Sequence, residues 1–463
     1  MPTGRALASA GLAALVLAAA AAAGPPGTWT RAGKRPGSDT FQAGLARTPD
    51  GVLHIVSLRE DGSKVDLWQV RLSSDGRLLG SNEIAAAWSS LANPDLVLTP
   101  DGGLRVLFGG AHSDDPTDTA VGVLSATAPA AGGPWTIDGS PVVPDPASAA
   151  ADVGAGLAKD GTPVVAWVFG GSLRYHWGVG PTTRDLAVPS AGCCATDPDV
   201  ATDPADGKTY VGWASGAAGE SGQFVQAIGP DGPIGRPLSA PGSAGKRRTG
   251  AAAPGQRVAI AAGSAGSGVY LAYAVGFPKV RTVALWRVGQ TAAALRLSAP
   301  GATEIALAAA PEGRLWLAWQ RNGKVFTTRT NRFATKAEPV QTLTPPPRTT
   351  GIWHVQGDGS LGLLDLVIDA DAAGGTTFWH EQVLPLLSLR IVATKQQSGS
   401  TQYAFAVTDA GEPVSNATVR FGTQTLTTGA AGTVTLTTTD RPPTATASKP
   451  GYATGSTTVP VTG

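Results

Sequence analysis

A short motif led by glycine recurs along the chain and constrains the fold more than any other feature. Each copy is an apolar run after a glycine, usually with an aromatic residue at its sixth following position, and five copies begin in an Asp-Gly or Glu-Gly turn. The copies are GVLHIVS at 51–57, GGLRVLF at 102–108, GTPVVAW at 161–167, GKTYVGW at 207–213, GSGVYLAY at 266–273 and GRLWLAW at 313–319. Asp-Gly between apolar runs is a strong β-hairpin signal. The spacing of about 46 to 60 residues leaves room for four short strands per unit, which indicates a propeller or a solenoid.

The composition supports an all-β protein with a large core. Of 463 residues, 61 are Gly and 36 are Pro, a density that argues against long helices. The 42% of hydrophobic residues and 12 Trp are enough for extensive burial. The formal net charge of +1 implies no polyanion-binding surface, so we expect no nucleic-acid partner.

Both faces of the repeated strand are apolar. Alternation places Val165 and Trp167 on one face, and Val164 and Ala166 on the other. A strand that is apolar on both faces belongs between neighbouring sheets. We therefore expect the aromatic residues of the motif to be core residues and not sugar-stacking platforms.

We favour a β-propeller of seven blades at residues 28–385, with six blades as the alternative. Further strands are predicted at 66–72, 223–228 and 324–330. A seventh unit at 352–383 is one strand short. The segment 28–32 could supply that strand and close the ring, which would remove an exposed sheet edge.

The first 23 residues have the pattern of a secretory signal peptide. A basic Arg5 precedes an apolar core that is short for a membrane span, and Ala21-Ala22-Ala23 fits a cleavage site before Gly24. A retained N-terminal anchor is the alternative. We expect the mature chain to be secreted, monomeric and without a membrane span.

The composition changes again after residue 387, where Trp disappears and Thr and Val dominate. Short alternating strands at 401–407, 418–421 and 433–437 predict a small sandwich domain at 388–463. The segments DAGEPVSNATV at 409–419, GAAGTV at 429–434 and KPGY at 449–452 resemble the carboxypeptidase-regulatory-like, transthyretin-like Ig-type module of secreted bacterial proteins. That resemblance implies a spacer or adhesion role without catalytic residues.

The propeller region resembles the sialidase-like propellers with BNR repeats. Fragments of their Asp-box remain at 73–76 and 230–232. The aromatic-Arg-Ile-Pro motif of true sialidases is replaced by Phe41-Gln-Ala-Gly-Leu. Among the tyrosines, Tyr175 is the one candidate nucleophile that falls neither in the repeated strand nor in the C-terminal module. Sialidase catalysis is therefore not supported.

Antiparallel blades would place all Asp-Gly turns on one face and longer, more varied loops on the other, where function usually accumulates. Carboxylates and arginines that converge there would suit a polar ligand such as a glycan; solvated loop residues are the alternative. The candidate ligand-binding residues of this loop face are Arg59, His112, Asp114, Asp115, Asp118, Asp197, Glu220, Arg247, Arg248, Arg321 and Arg348.

The cysteines and histidines indicate no cofactor. Cys193 and Cys194 are adjacent, so they form either a vicinal disulfide or two buried thiols. The paired cysteines resemble a Cys-Cys element before the inner strand of several secreted bacterial propellers. The five histidines lack zinc-ligand spacing. A calcium-binding site at the acidic run 197–206 or 114–118 is kept as an alternative.

We expect an exported binding or adhesion protein whose loop face recognises a polysaccharide or a cell-surface protein. A sialidase-like glycoside hydrolase or lyase that uses loop-face carboxylates is the first alternative. A structural envelope protein is the second.

Overall fold

A computed structural model describes residues 26–34, 42–113, 119–144, 153–169, 172–178, 186–187, 195–216, 221–243, 256–263, 268–276, 279–372 and 375–460. Within these ranges the protein is built of strands, with a single 3₁₀ turn at Pro311–Gly313. The predicted signal peptide and both cysteines lie outside the described residues.

Seven antiparallel sheets follow one another in the described part of the chain up to residue 383. Strand β1 (Thr30–Lys34) joins the seventh sheet. The strands of sheets 1 to 3 are β2 (Gly44–Arg47), β3 (Leu53–Asp61), β4 (Lys64–Leu72) and β5 (Leu78–Trp88); β6 (Ser90–Leu98), β7 (Leu104–Ala111), β8 (Val121–Ala128), β9 (Thr136–Ile137) and β10 (Val143–Pro144); and β11 (Val153–Leu157), β12 (Pro163–Phe169), β13 (Ser172–Trp177) and β14 (Leu186–Ala187).

Sheets 4 to 7 continue the same order. Their strands are β15 (Ala195–Thr202), β16 (Thr209–Ser215), β17 (Gly222–Gly229) and β18 (Gly232–Ser239); β19 (Ala259–Ala262), β20 (Val269–Val275), β21 (Thr282–Arg287) and β22 (Leu295–Ser298); β23 (Thr303–Ala309), β24 (Leu315–Arg321), β25 (Lys324–Arg329) and β26 (Gln341–Leu343); and β27 (Gly351–Asp358), β28 (Leu364–Ala372) and β29 (Gly375–Val383), which β1 completes.

The sheets form a closed ring around a central channel. The first strands of successive sheets contact one another in chain order, and β27 of sheet 7 returns to β2 of sheet 1. β1 pairs antiparallel with β29, from Thr30 opposite His380 to Lys34 opposite Thr377. The prediction that the segment 28–32 supplies the strand missing from the last unit is confirmed, although the strand begins two residues later, at Thr30. The fold is a β-propeller.

The core lies between neighbouring sheets, as the apolar faces of the repeated strand predict. One cluster joins Tyr175 of sheet 3 to Trp213 of sheet 4, and another joins Leu53 of sheet 1 to Phe378 of sheet 7. The motif aromatics are buried, which confirms them as core residues: Phe108, Trp167, Trp213, Tyr273 and Trp319.

Eight further strands follow in two sheets with a shared apolar core. They are β30 (Ser388–Gln397), β31 (Ser400–Asp409), β32 (Glu412–Pro413) and β35 (Thr433–Thr438) in one sheet, and β33 (Thr418–Phe421), β34 (Gln424–Thr427), β36 (Thr444–Ser448) and β37 (Gly455–Thr458) in the other.

Ion pairs fix these strands to sheet 6. Asp409 is buried and accepts from Arg329 Nη2 at 2.6 Å, with Arg314 Nη1 at 3.4 Å. Glu412 pairs with Arg314 and with Arg332. Because Arg314 follows the turn between the first two strands of sheet 6, the contact lies on the face that carries the Asp-Gly turns, here called the turn face. The opposite loop face is not used by this contact.

Candidate functional site

Four innermost strands carry a β-bulge at their loop-face end. The pairing register shifts between Ala92 and Asp95, between Thr196 and Asp199, between Thr303 and Ala306, and between Ile352 and His354. A bulge re-aims the side chain at the extra residue and is frequent beside active sites. The bulged positions hold Asn93, Asp197, Glu304 and Trp353, and we call this group the channel mouth.

Three of these residues have an unusual backbone conformation. The φ angles of Asn93, Asp197 and Glu304 are 35°, 53° and 47°. Non-glycine residues seldom adopt positive φ, and such positions cluster at functional sites. The strain is thus repeated in sheets 2, 4 and 6 at equivalent positions.

Trp353 gives the channel mouth an exposed aromatic surface. Its side chain is 39% exposed although it begins an innermost strand. The indole Nε1 donates to Asp371 Oδ2 at 2.8 Å, and Thr376 Oγ1 donates to the other oxygen of Asp371 at 2.6 Å. The ring is therefore held in place by the next two strands of its own sheet.

Residues 256–258, here called the plug, bridge the channel from sheet to sheet. Gln256 Nε2 donates to Ile305 O of sheet 6, and its Oε1 accepts from Val355 N of sheet 7. Val258 N donates to Asp197 O of sheet 4. The buried Arg257 side chain donates to the carbonyl oxygens of Ala43, Asn93, Pro94 and Val153 in sheets 1, 2 and 3.

The plug thus donates to inward-facing backbone oxygens, those of Asn93, Pro94, Asp197 and Ile305 at the bulges among them. Buried carbonyls left without donors would be costly. Arg257 N donates to Gln42 Oε1 at 2.7 Å, which also ties the plug to the segment before β2. A cavity of about 130 Å³ adjoins it. Among the described residues, the plug therefore spans the channel at this level.

Two carboxyl groups lie beside the plug. Asp95 Oδ1 is 3.6 Å from Arg257 Nη1, and Asp95 Oδ2 accepts from Ala155 N at 2.7 Å. Burial raises the pKa of Asp95, and burial together with the negative charge of Asp95 raises the pKa of Asp199 well above its usual value. One guanidinium thus serves two carboxyl groups, and the pKa values of both are raised.

A second acidic pair belongs to the channel mouth itself. Burial, followed by the charge of Asp197, raises the pKa of Glu304 to about 9. Glu304 Oε2 is buried and has no hydrogen-bond partner in the described part of the protein. A protonated carboxyl group next to a carboxylate can donate a proton, which is the arrangement that a general acid requires.

Of the described candidate residues, the structure brings Asp197 to the channel mouth and leaves the arginines elsewhere. Arg59 lies over the Trp68 ring of sheet 1 at 4.2 Å, and Arg321 lies over Phe326 of sheet 6 at 4.7 Å. Arg348 is exposed before β27, with a φ of 64°. His112 is exposed after β7, with its ring 5.2 Å from Trp88. The other candidates lie outside the described residues: Asp114, Asp115, Asp118, Glu220, Arg247 and Arg248.

Tyr175, the one tyrosine outside the repeated strand and the C-terminal strands, is nevertheless a core residue. Its side chain is buried, its hydroxyl donates to Gly229 O at 2.9 Å, and burial raises its pKa to about 12. The alternation of β13 places it between sheets 3 and 4. It is a structural residue and offers no nucleophile.

The acidic run 197–206 does not form one calcium site. Asp197 lies at the loop-face end of β15, whereas Asp203 and Asp206 follow its other end. An extended strand rises about 3.3 Å per residue, so the six or more residues between them keep these carboxylates far apart. Among the described residues no group of three or more His, Cys, Asp or Glu side chains is placed to hold a metal ion. The segments 73–76 and 230–232 lie at turns between the third and fourth strands of sheets 1 and 4.

Two of the channel-mouth positions carry a local signal in the sequence. Asn93-Pro94-Asp95 and Asp197-Pro198-Asp199 both lie ten or fewer residues before an Asp-Gly turn. A proline between two turn-forming residues inside a predicted strand indicates a bulge. Arg257 has no such signal, because its partners are main-chain groups of distant sheets.

No described helix is long and apolar enough to cross a membrane.

The sequence matches no family model and no curated protein. Among solved structures the chain is similar to the polysaccharide lyase Uly1, with 11% identity over 74% of this chain and 90% of that chain and a TM-score of 0.44. It is also similar to the WD40 domain of Toxoplasma gondii coronin (11% identity, 78% and 88% coverage, TM-score 0.47) and to an α-L-arabinanase of Penicillium chrysogenum (14%, 77% and 98%, TM-score 0.38). At such low identity these similarities say nothing about chemistry.

Proposed function

We propose that this protein is an exported glycan-binding protein that holds a polysaccharide, or a glycan on a cell-surface protein, at the channel mouth. The observation that carries the proposal is the bulged ring of polar residues with the exposed Trp353 among them. Aromatic rings bury large apolar area at low entropy cost, and nearby polar groups fix the orientation of a ligand. A sugar ring has an apolar face and hydroxyl edges, so it fits such a surface.

The plug supports binding over transport. A through channel would let a small molecule pass, whereas the side chain of Arg257 fills the axis with hydrogen bonds to sheets 1, 2 and 3. A ligand at the mouth therefore meets a rigid floor. Rigid, preformed sites lose less entropy on binding.

The proposal includes the number of propeller blades and the identity of the C-terminal module. Each of the seven sheets is taken as one blade of a sialidase-like propeller at 28–385, and residues 388–463 as an Ig-like module that holds the propeller by its turn face. The signal peptide at 1–23 would send the chain out of the cell. In that arrangement the module orients the loop face away from whatever surface the module contacts.

A second candidate function, a glycoside hydrolase or lyase, is favoured by the Glu304 and Asp197 pair. Glu304, with its pKa of about 9, would be the proton donor, and Asp197 the base or the charge that stabilises the transition state. Glycoside hydrolysis needs two carboxyl groups about 5 to 10 Å apart across the scissile bond.

A thermal-shift screen of residues 24–463 against neutral and acidic oligosaccharides tests the proposal, with the products examined by mass spectrometry. A ligand at about 100 times its Kd adds about 2.7 kcal/mol and raises Tm by a few degrees. We expect Trp353→Ala to weaken binding at least about tenfold. The matched control is Phe333→Ala, which removes a 67% exposed aromatic of the turn face.

The outcomes of this screen distinguish the binding protein, the hydrolase or lyase, and the structural envelope protein. A shift with an intact ligand that W353A removes and F333A keeps supports the binding protein. A shift with a shortened ligand, lost in Glu304→Gln, supports the hydrolase or lyase. If no glycan shifts Tm, or if W353A binds like the wild type, the proposal is wrong and a structural envelope role takes its place.

A further inference from the structure

A cleft lies where the C-terminal strands meet the outer ends of sheets 5 and 6. Its volume is about 870 Å³, within the range of ligand pockets. Sheet 5 contributes Leu295 and Leu297 of β22, and sheet 6 contributes the loop 335–339 before β26. The C-terminal strands contribute residues of β30 and β31 and the turn at 410–411. We call this space the side cleft, and none of the four channel-mouth residues lines it.

The wall that the C-terminal strands form is the sheet face that turns away from their own core. Strand alternation buries Leu389 and Phe405 in that core, so Arg390 and Ala406, which lie opposite each other, are on the cleft side. Val392 extends this face and is 58% exposed. Together with the two leucines of β22, these side chains give the side cleft apolar walls.

Two basic side chains of the side cleft have no partner among the described residues. Arg390 is exposed on β30, and Lys336 is exposed in the loop before β26. Neither side chain forms an ion pair or a hydrogen bond within the described part of the protein. The Lys336 stem lies against Gly411, since a Cβ at Gly411 would be 3.0 Å from Lys336 Cδ. Both cations are therefore available to a carboxylate, the partner with which they form charge-assisted hydrogen bonds.

The acidic groups around the side cleft do not neutralise these cations. Glu338 accepts from Leu386 N at 2.8 Å, and burial raises the pKa of Glu338 to about 8, so this group is largely protonated at neutral pH. Asp409 and Glu412 are already paired with arginines of sheet 6 and its following loop. The side cleft thus carries positive charge that no described residue balances.

The outer edge of β22 offers backbone hydrogen bonds to an added strand. β22 pairs with β21 alone, and Ala299 N donates to Arg281 O. Bonded and outward-facing residues alternate in an antiparallel pair, so the backbone groups of Arg296 and Ser298 point away from β21. No described residue bonds them. The outer strand of sheet 4, β18, contains two prolines, which hinder strand addition, whereas β22 contains none.

From these features we propose that the side cleft binds an extended acidic peptide of a partner protein, laid beside β22 as an added strand. The peptide backbone bonds Arg296 and Ser298, its apolar side chains cover the apolar walls, and its carboxylates pair with Arg390 and Lys336. A fatty acid would leave the strand edge unused, and an acidic sugar would leave the apolar walls uncovered. This inference does not depend on a glycan at the channel mouth.

Isothermal titration calorimetry of residues 24–463 tests the proposal, with an acetylated and amidated hexapeptide of alternating Glu and Leu as the probe. The same peptide with Lys for Glu is the charge-reversed match, and dodecanoate and glucuronate represent the other ligand classes. We expect the Glu peptide alone to bind, and more weakly as the salt concentration rises. Arg390→Gln should weaken this binding at least about tenfold, because it removes a charged hydrogen-bond donor. Arg420→Gln, at an exposed arginine of the other C-terminal sheet, should leave it unchanged.

Hydrogen–deuterium exchange with the bound Glu peptide locates the site. We expect slower exchange at 295–298 and unchanged exchange at the channel mouth, residues 351–356. The proposal is overturned if the Glu peptide does not bind, if the Lys peptide binds as tightly, or if dodecanoate or glucuronate binds more tightly. It is also overturned if R390Q and R420Q bind equally, or if protection appears at 351–356 and not at 295–298.

Discussion

Glu304 is a single residue whose protonation links the channel mouth to stability. Its pKa is about 9 in the folded protein against 4.5 for an ordinary glutamate. Between these pH values the folded state holds a proton that the unfolded state has released. The free energy of unfolding therefore falls as pH rises through this window.

Glu304→Gln replaces the ionisable carboxyl group by a neutral amide and keeps the shape of the side chain. We expect E304Q and wild type to have similar stability near pH 5, and E304Q to be more stable at pH 8, because only the wild type loses unfolding free energy, at most about 1.4 kcal/mol per pH unit, as its unfolded state releases the proton. Urea denaturation at both pH values measures this, with the exposed Glu83→Gln as the control. A constant difference between E304Q and wild type at the two pH values would contradict it.

At the scale of strands, glycines allow the innermost strands to approach one another closely. A Cβ at Gly154 of β11 would overlap the carbonyl oxygen of Pro198 in β15. The backbone of neither strand can move without disturbing its own sheet. Close packing of this kind leaves no room for a methyl group.

Gly154→Ala is therefore expected to destabilise the protein by about 1 to 3 kcal/mol, the usual cost of overpacking. Gly139→Ala is the matched control, because a Cβ there meets nothing within 4 Å. Thermal denaturation of the two variants compares them directly. Equal Tm values would mean that sheets 3 and 4 are not packed as described.

The strands themselves were largely predictable from the sequence, whereas the site was not. The Asp-Gly and Glu-Gly turns and the alternating apolar runs predict β12, β16 and β24, because both signals are local. The bulges at Asn93 and Asp197 interrupt that alternation, and the partners of Arg257 come from strands more than 100 residues distant. The burial of Tyr175 was not predictable either, because β13 is the third strand of its sheet and carries no copy of the repeated motif.

Across the whole molecule, Arg257 joins sheets that are far apart in sequence. Arg257→Ala would leave several inward carbonyl groups without donors and Asp95 without a cation. Breaking a buried pair in this way costs about 3 to 5 kcal/mol. We expect Tm to fall sharply in R257A and to stay near the wild-type value in Arg321→Ala, its control on the loop face. Similar Tm values for both variants would contradict the role of the plug.

The C-terminal strands are attached to sheet 6 by a buried charge. Asp409 accepts from Arg329, Arg314 lies close to it, and the Tyr452 hydroxyl donates to it at 3.2 Å. Asp409→Asn would weaken this contact, and limited proteolysis should then cut between residues 383 and 388 faster than in the wild type. The exposed Asp440→Asn is the control; equal cleavage of D409N and D440N would show that the attachment does not depend on Asp409.

The claim that the loop face binds glycan is tested most directly by hydrogen–deuterium exchange with and without the best oligosaccharide of the screen. We predict slower exchange in peptides that cover 303–307 and 351–356, at the channel mouth, and unchanged exchange in the turns at 100–103 and 160–162. Protection confined to the turn face or to residues 388–460 would contradict a glycan site at the channel mouth.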